Sequence, residues 1–142
     1  MLSKPWCGWT TVHIGDWEGS ASYLTSVPFD VLESMIFSLE NCVPFSVEFD
    51  AEGWSFIVVS TDYESYVIEY KDEPILYHFD IDKVNLAQEI LIDLGEHRDL
   101  WLKWEDEEID KEKSEIFDSQ MEKLDKLVRR RLDEYTGNKY KQ

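Results

Sequence analysis

Asp80-Ile81-Asp82 sets two carboxylates on the same side of an extended segment, an arrangement that could hold Mg²⁺ or Ca²⁺. The segment falls where a strand is expected to hand over to a helix, so capping by Asp82 explains the same spacing more simply. Cys7 with His13 or His78 would supply a nucleophile and a base, but no flanking motif brings them together. His97 has no histidine or cysteine three or four residues on, the spacing of a structural zinc site. Glu105-Asp106-Glu107-Glu108 lacks the glycine and fixed spacing of an EF-hand loop. Gly15 and Gly19 are flanked by acids that would repel a phosphate. Carboxylate pairs for glycoside hydrolysis are so numerous that they discriminate nothing. No catalytic residue, no metal ligand and no cofactor follows from these patterns.

What remains is charge. Between Pro5 and Tyr70 there is no lysine or arginine, while eleven aspartates and glutamates fall in that stretch. Like charges on one compact body repel, so a one-sided surface suggests a basic partner, with solubility alone as the plainer explanation. Asp16 and Glu18 share an expected turn with Trp17 between them. Glu48, Asp50 and Glu52 project from or just beyond one strand, and Asp62 and Glu64 flank the next turn. Carboxylates beside exposed aromatics suit Lys and Arg through charge-assisted hydrogen bonds and cation–π contacts. The binding face is therefore expected at the turn near Asp16 together with the turns around Glu52 and Glu64. The six tryptophans and seven tyrosines could also form a sugar platform, but strand faces expected to be buried take several of them into the core.

The elements that must position these groups are legible as changes of period. Trp9 to Ile14 alternates as a strand, Gly15 to Gly19 reads as a turn, and Ser20 to Thr25 as the returning strand. Pro28 to Cys42 carries Val31, Leu32, Met35, Ile36 and Leu39 on one helical face. Four strands follow. Phe45 to Asp50 alternates cleanly, and Trp54 to Ser60 is apolar on both faces, which predicts a central strand. Ser65 to Tyr70 and Ile75 to Ile81 complete a meander through short turns. Asp82 then caps a helix with Val84, Ala87, Ile90, Leu91 and Leu94. A final helix carries a stripe of Ile116, Phe117, Met121, Leu124, Leu127 or Val128, and Leu132, for its own domain or for another chain. The order ββα-ββββ-αα predicts an α+β fold, a hairpin plus a four-stranded antiparallel meander with helices packed against it.

The 142 residues fit one domain, expected over 1–135, with an added C-terminal helix from 104/105 onward and a frayed tail over 136–142. The net charge is −17: residues 1–128 carry −20 and residues 129–142 carry +3. That balance argues against direct contact with nucleic acid or an anionic membrane. The run Arg129-Arg130-Arg131 reads as a helix C-terminus paired with nearby acids. Cys7 and Cys42 match no ligand spacing; a disulfide stays open, and buried free thiols in a reducing cytosol are the expectation. Met1 to Gly8 shows no apolar leader and no run of 18 apolar residues occurs, so a cytoplasmic location is expected.

In size, acidity, α+β pattern and lack of catalytic motifs, the chain resembles immunity proteins encoded beside bacterial polymorphic or contact-dependent toxins. The segment Trp9 to Pro28, WTTVHIGDWEGSASYLTSVP, has the look of a family signature. The resemblance implies a non-enzymatic inhibitor that binds a toxin domain, often a basic nuclease, and occludes its active site; it assigns no residue roles. Two other classes compete: a DNA-mimic regulator that sequesters a DNA-binding protein, and a small metal-dependent hydrolase. The oligomeric state is left open.

Overall fold

A computed structural model describes residues 1–140, with side chains to Glu134. β1 (Trp9–Ile14) and β2 (Trp17–Ser22) form a hairpin, followed by α1 (Val27–Asn41). β3 (Phe45–Asp50), β4 (Ser55–Ser60), β5 (Ser65–Tyr70) and β6 (Pro74–Phe79) form an antiparallel sheet in that spatial order. α2 (Lys83–Glu96), α3 (Arg98–Leu102) and α4 (Lys111–Tyr140) complete an α+β fold. The predicted order is present, with one short helix, α3, added between the last two.

The hairpin turns more tightly than its residues suggest. Ile14 pairs with Trp17, so only Gly15 and Asp16 form the turn. Gly15 has φ +58°, the positive first position that suits the twist of a two-residue hairpin. The second strand is consequently Trp17–Ser22 rather than 20–25. Gly19 sits inside it because the Trp17 indole lies across that position, where an added Cβ would collide with the ring.

The meander register sorts its residues into rows. Phe45, Ser60, Ser65 and Phe79 align on the inward side, as do Val47, Val58, Val67 and Tyr77, and then Phe49, Phe56, Glu69 and Ile75. This side meets α1 and the hairpin: α1 and β2 lie against β3, and Trp17 stands edge-on to Phe56 at 4.8 Å between centroids. α2 and α4 pack on α1 from behind. Phe117, Leu124 and Val128 of α4 are buried in one continuous cluster with the strands and α1, and Phe117 meets Phe29 edge-on. Trp101 and Trp104 are buried too, and their indole N–H groups donate to the carbonyls of Asp93 (3.1 Å) and Thr25 (2.8 Å).

Capping follows local chemistry in α2, where the Asp82 side chain accepts from the Asn85 N–H at 2.8 Å. At the end of α1 the cap is non-local. Cys42 takes a left-handed conformation, and no basic residue lies in the last turn. The Lys83 ammonium arrives from the start of α2 and donates to the Val43 carbonyl at 2.9 Å and to Ser38 Oγ at 3.1 Å. A cation at a helix C-terminus opposes the negative end of the dipole.

Three expectations are corrected. Cys7 and Cys42 are free, as expected, but exposed rather than buried. Each sits at a positive-φ position in a surface turn or cap. Arg129 to Arg131 lie inside α4, which runs on through Tyr140, rather than at its end. Arg129 pairs with Asp125 one turn back, and Arg131 reaches Asp62 at 2.6 Å. Trp17 is buried rather than exposed between its neighbouring acids. The frayed tail expected at 136–142 falls on positions whose side chains lie outside the described residues. For 141–142 the backbone lies outside them as well.

Candidate binding surface

The outward rows of the meander are where the sheet meets solvent. Their register is Ser46–Val59–Tyr66–His78, then Glu48–Ile57–Ile68–Leu76, then Asp50–Ser55–Tyr70–Pro74. None of these residues is buried: Ile57, Val59, Tyr66 and Ile68 are half-buried, while Tyr70 and Leu76 are 41% and 62% exposed. A central apolar band of Ile57, Ile68 and Leu76 thus runs across the strands, with Tyr66 and Tyr70 beside it. Glu48 and Asp50 border it on β3, and the rows contain no lysine or arginine.

At one end of the face, Glu64 is held by two neighbours. The Tyr66 hydroxyl donates to Glu64 Oε1, and His78 Nε2 lies 2.9 Å from Glu64 Oε2. Those hydrogen bonds hold the Glu64 carboxyl below the usual range and push the Tyr66 phenol up. His78 also lies 3.8 Å from Asp80. The geometry fixes a carboxylate, a phenol and an imidazole at the rim of an apolar band. Such a rim sets hydrogen-bonding groups beside exposed apolar area.

The carboxylates named from the sequence are divided among four places. Glu48, Asp50 and Glu64 belong to the open face or its rim. Glu52 lies in the β3–β4 turn at φ +55°, and its N–H donates to Asp50 Oδ1 at 2.7 Å. Asp16, Trp17 and Glu18 belong to the hairpin on the opposite side of the sheet. There Trp17 Nε1 donates to the buried Glu69 at 2.9 Å, and Glu18 lies 3.5 Å from His13. Asp62 faces α2 and α4, paired with Arg131 and 3.7 Å from Lys83 Nζ. The turns around Glu52 and Glu64 lie at opposite ends of β4, a six-residue strand spanning roughly 17–20 Å. A meander alternates ends, so successive turns cannot share one. The hairpin turn near Asp16, with Gly15 packed against Phe79, lies toward the Glu64 end but beneath the inward side.

Glu69 is one of the eleven acids between Pro5 and Tyr70, and Lys83 falls in no sequence motif; both are buried. Glu69 also accepts a hydrogen bond from Tyr77, which pushes that phenol up. Isolated carboxylates and ammoniums have no local signature of burial. The open apolar band did have one: Trp54 to Ser60 is apolar at successive positions. That pattern also fits a strand covered on both sides, which is how it reads without the packing. β4 is internal within the sheet, yet its second apolar side is uncovered.

A cavity of about 720 Å³ lies elsewhere, between the β4–β5 turn, the start of α2 and α4. Three of its charged groups are engaged with the protein: Asp62 with Arg131, and Asp82 with the first turn of α2, while Glu134 lies at its margin. Among the described residues no group of three histidine, cysteine, aspartate or glutamate side chains could hold a metal ion. No helix among them is long and apolar enough to cross a membrane. Comparison with family models, with curated proteins and with solved structures found no match to this chain.

Proposed function

We propose that the chain is an acidic binding protein that neutralises a basic partner through the open face of β3–β6. Its most specific form would be an immunity protein that blocks a bacterial nuclease-type toxin. The observation that carries this reading is an uncovered apolar band bordered by Glu48, Asp50 and Glu64 with no cation in its rows. Apolar area supplies affinity, whereas the carboxylates steer a basic surface and reject an acidic one. Inhibition would work by occlusion: the carboxylates take the Lys and Arg groups that otherwise hold substrate phosphates. A duplex mimic needs carboxylates spaced along a phosphate-like track. Here apolar rows separate them, which favours a protein surface over mimicry.

The test is affinity capture from the native host with the native chain and with Glu48→Lys and Ile68→Lys variants. The reading expects a basic protein that the native chain binds at one to one, that both variants lose, and whose nuclease activity the native chain blocks. Recovery of only neutral or acidic proteins, or equal capture by the variants, would sink it.

A further inference from the structure

The open face alone is small for a stable complex. Four strands of about six residues cover roughly 15 Å by 20 Å in plan, whereas a stable interface takes about 800 Å² from each partner. A partner seated there needs further surface, the sheet edges lie directly beside it, and the two edges differ. β3 carries Glu48 and Asp50 and lies against α1 and β2. β6 reads Pro-Ile-Leu-Tyr-His-Phe, with none of the lysines or acids that usually blunt an edge strand.

Among the described residues, no backbone hydrogen bond joins β6 to anything but β5. Alternate N–H and C=O groups of β6 therefore point away from the sheet. Apolar side chains are uncovered on both of its sides. Ile75, on an inward row, is 49% exposed and Leu76, on an outward row, is 62% exposed. Pro74 stands at the first position, the place where an edge strand tolerates proline.

Charge brackets this strand. Asp72 and Glu73 precede it, and Asp80 and Asp82 follow it. The nearby cation, Lys71, is engaged over the Trp54 ring at 4.2 Å and with Glu69 at 4.0 Å. A second copy of this chain is disfavoured as the occupant. Antiparallel pairing of two β6 strands about their centre would set Glu73 of one opposite Asp80 of the other, and like charges directly opposite are destabilising.

We propose that β6 accepts a fifth strand from the partner: an extended segment, apolar in the middle and basic at both ends. Main-chain hydrogen bonds would extend the ladder, as in other cases of strand addition, and the acids would select the ends. This rests on the reading of the open face as the surface for a basic partner, and it adds where and in what conformation that partner engages.

The probe is the capped peptide Lys-Arg-Val-Thr-Val-Tyr-Val-Arg-Lys, labelled for fluorescence anisotropy. One control carries N-methyl groups on alternate central residues, and another has glutamates in place of its basic ends. Binding of the parent peptide should weaken at least tenfold in each control, because losing two or more ladder hydrogen bonds or reversing the end charges is worth roughly that factor. Amide exchange at the outward N–H groups of β6 should slow at least tenfold with peptide bound. Equal binding by the N-methylated peptide, protection at β3 instead, a β6-paired dimer in sedimentation, or no parent binding at millimolar peptide would each overturn the strand inference. None of these results touches the open-face reading, which stands or falls on capture by the Glu48→Lys and Ile68→Lys variants.

Discussion

Lys83 shows how a single buried cation can join three parts of the chain. Its Nζ bonds the end of α1 through Val43 and Ser38, lies near Asp62 of the β4–β5 turn, and is carried by the first residue of α2. Burial pushes its ammonium pKa down, and Asp62 opposes that shift. Lys83→Met keeps the apolar stem but removes the charged donor shared by the Val43 carbonyl and Ser38 Oγ, leaving the Val43 carbonyl only the Ser38 hydroxyl, so urea unfolding should show a loss of about 1.5–3 kcal/mol. Asp30 illustrates the opposite case. Burial raises its carboxyl pKa above the usual 3.8, with help from Glu33 and Glu105. The folded chain thus holds that proton more tightly than the unfolded one, and ionisation at neutral pH subtracts from stability. Asp30→Asn should stabilise the fold at pH 7 by a few tenths of a kcal/mol after solvent screening. The difference should shrink as pH falls through the raised pKa and toward 3.8, which thermal melts across that range would read. Neither residue announces its role in the sequence, because burial of a charged group depends on what distant elements bring to it.

At the scale of elements, the local signals translated well where a period or a cap decides the matter. The alternation in Phe45–Asp50, the helical face from Val31 to Leu39 and the Asp82 cap all appear where their patterns place them. The second hairpin strand starts three residues earlier than expected because Gly15 supplies a sharp turn, which leaves two residues of the expected five-residue turn in place and moves Trp17, Glu18 and Gly19 into three ladder pairs. α3 is five residues long, too short for periodicity to show. α4 settles a question its stripe left open. Phe117, Leu124 and Val128 are buried against the body, while Ile116 is 44% exposed on the far side. Leu124→Ala should therefore cost about 3 kcal/mol in chemical denaturation of the isolated chain, as expected for a core leucine. A helix reserved for another chain would show almost no change.

For the whole molecule, the cation-free stretch from Pro5 to Tyr70 is offset by bridges from elsewhere: Lys123 to Glu40, and Arg131 and Lys83 to Asp62. The remaining charge repels itself, so the melting temperature should rise when salt is added from about 10 mM to 150 mM, the range over which the Debye length drops from ~30 Å to ~8 Å. A flat or falling melting temperature over that range would show that the ion pairs outweigh the self-repulsion. The sequence by itself determined the acidic character, the α+β order and most of the apolar rows, because composition, period and turn residues are properties of neighbouring positions. It also marked β4 as apolar on both sides. Only the tertiary structure decided which side is covered, that β3 and β6 are the edges, and that the sequence-named carboxylates divide among the open face, the β3–β4 turn, the hairpin and the α2–α4 junction. Those outcomes depend on where α1 and the hairpin come to rest on the sheet, and on a meander that sends successive turns to opposite ends.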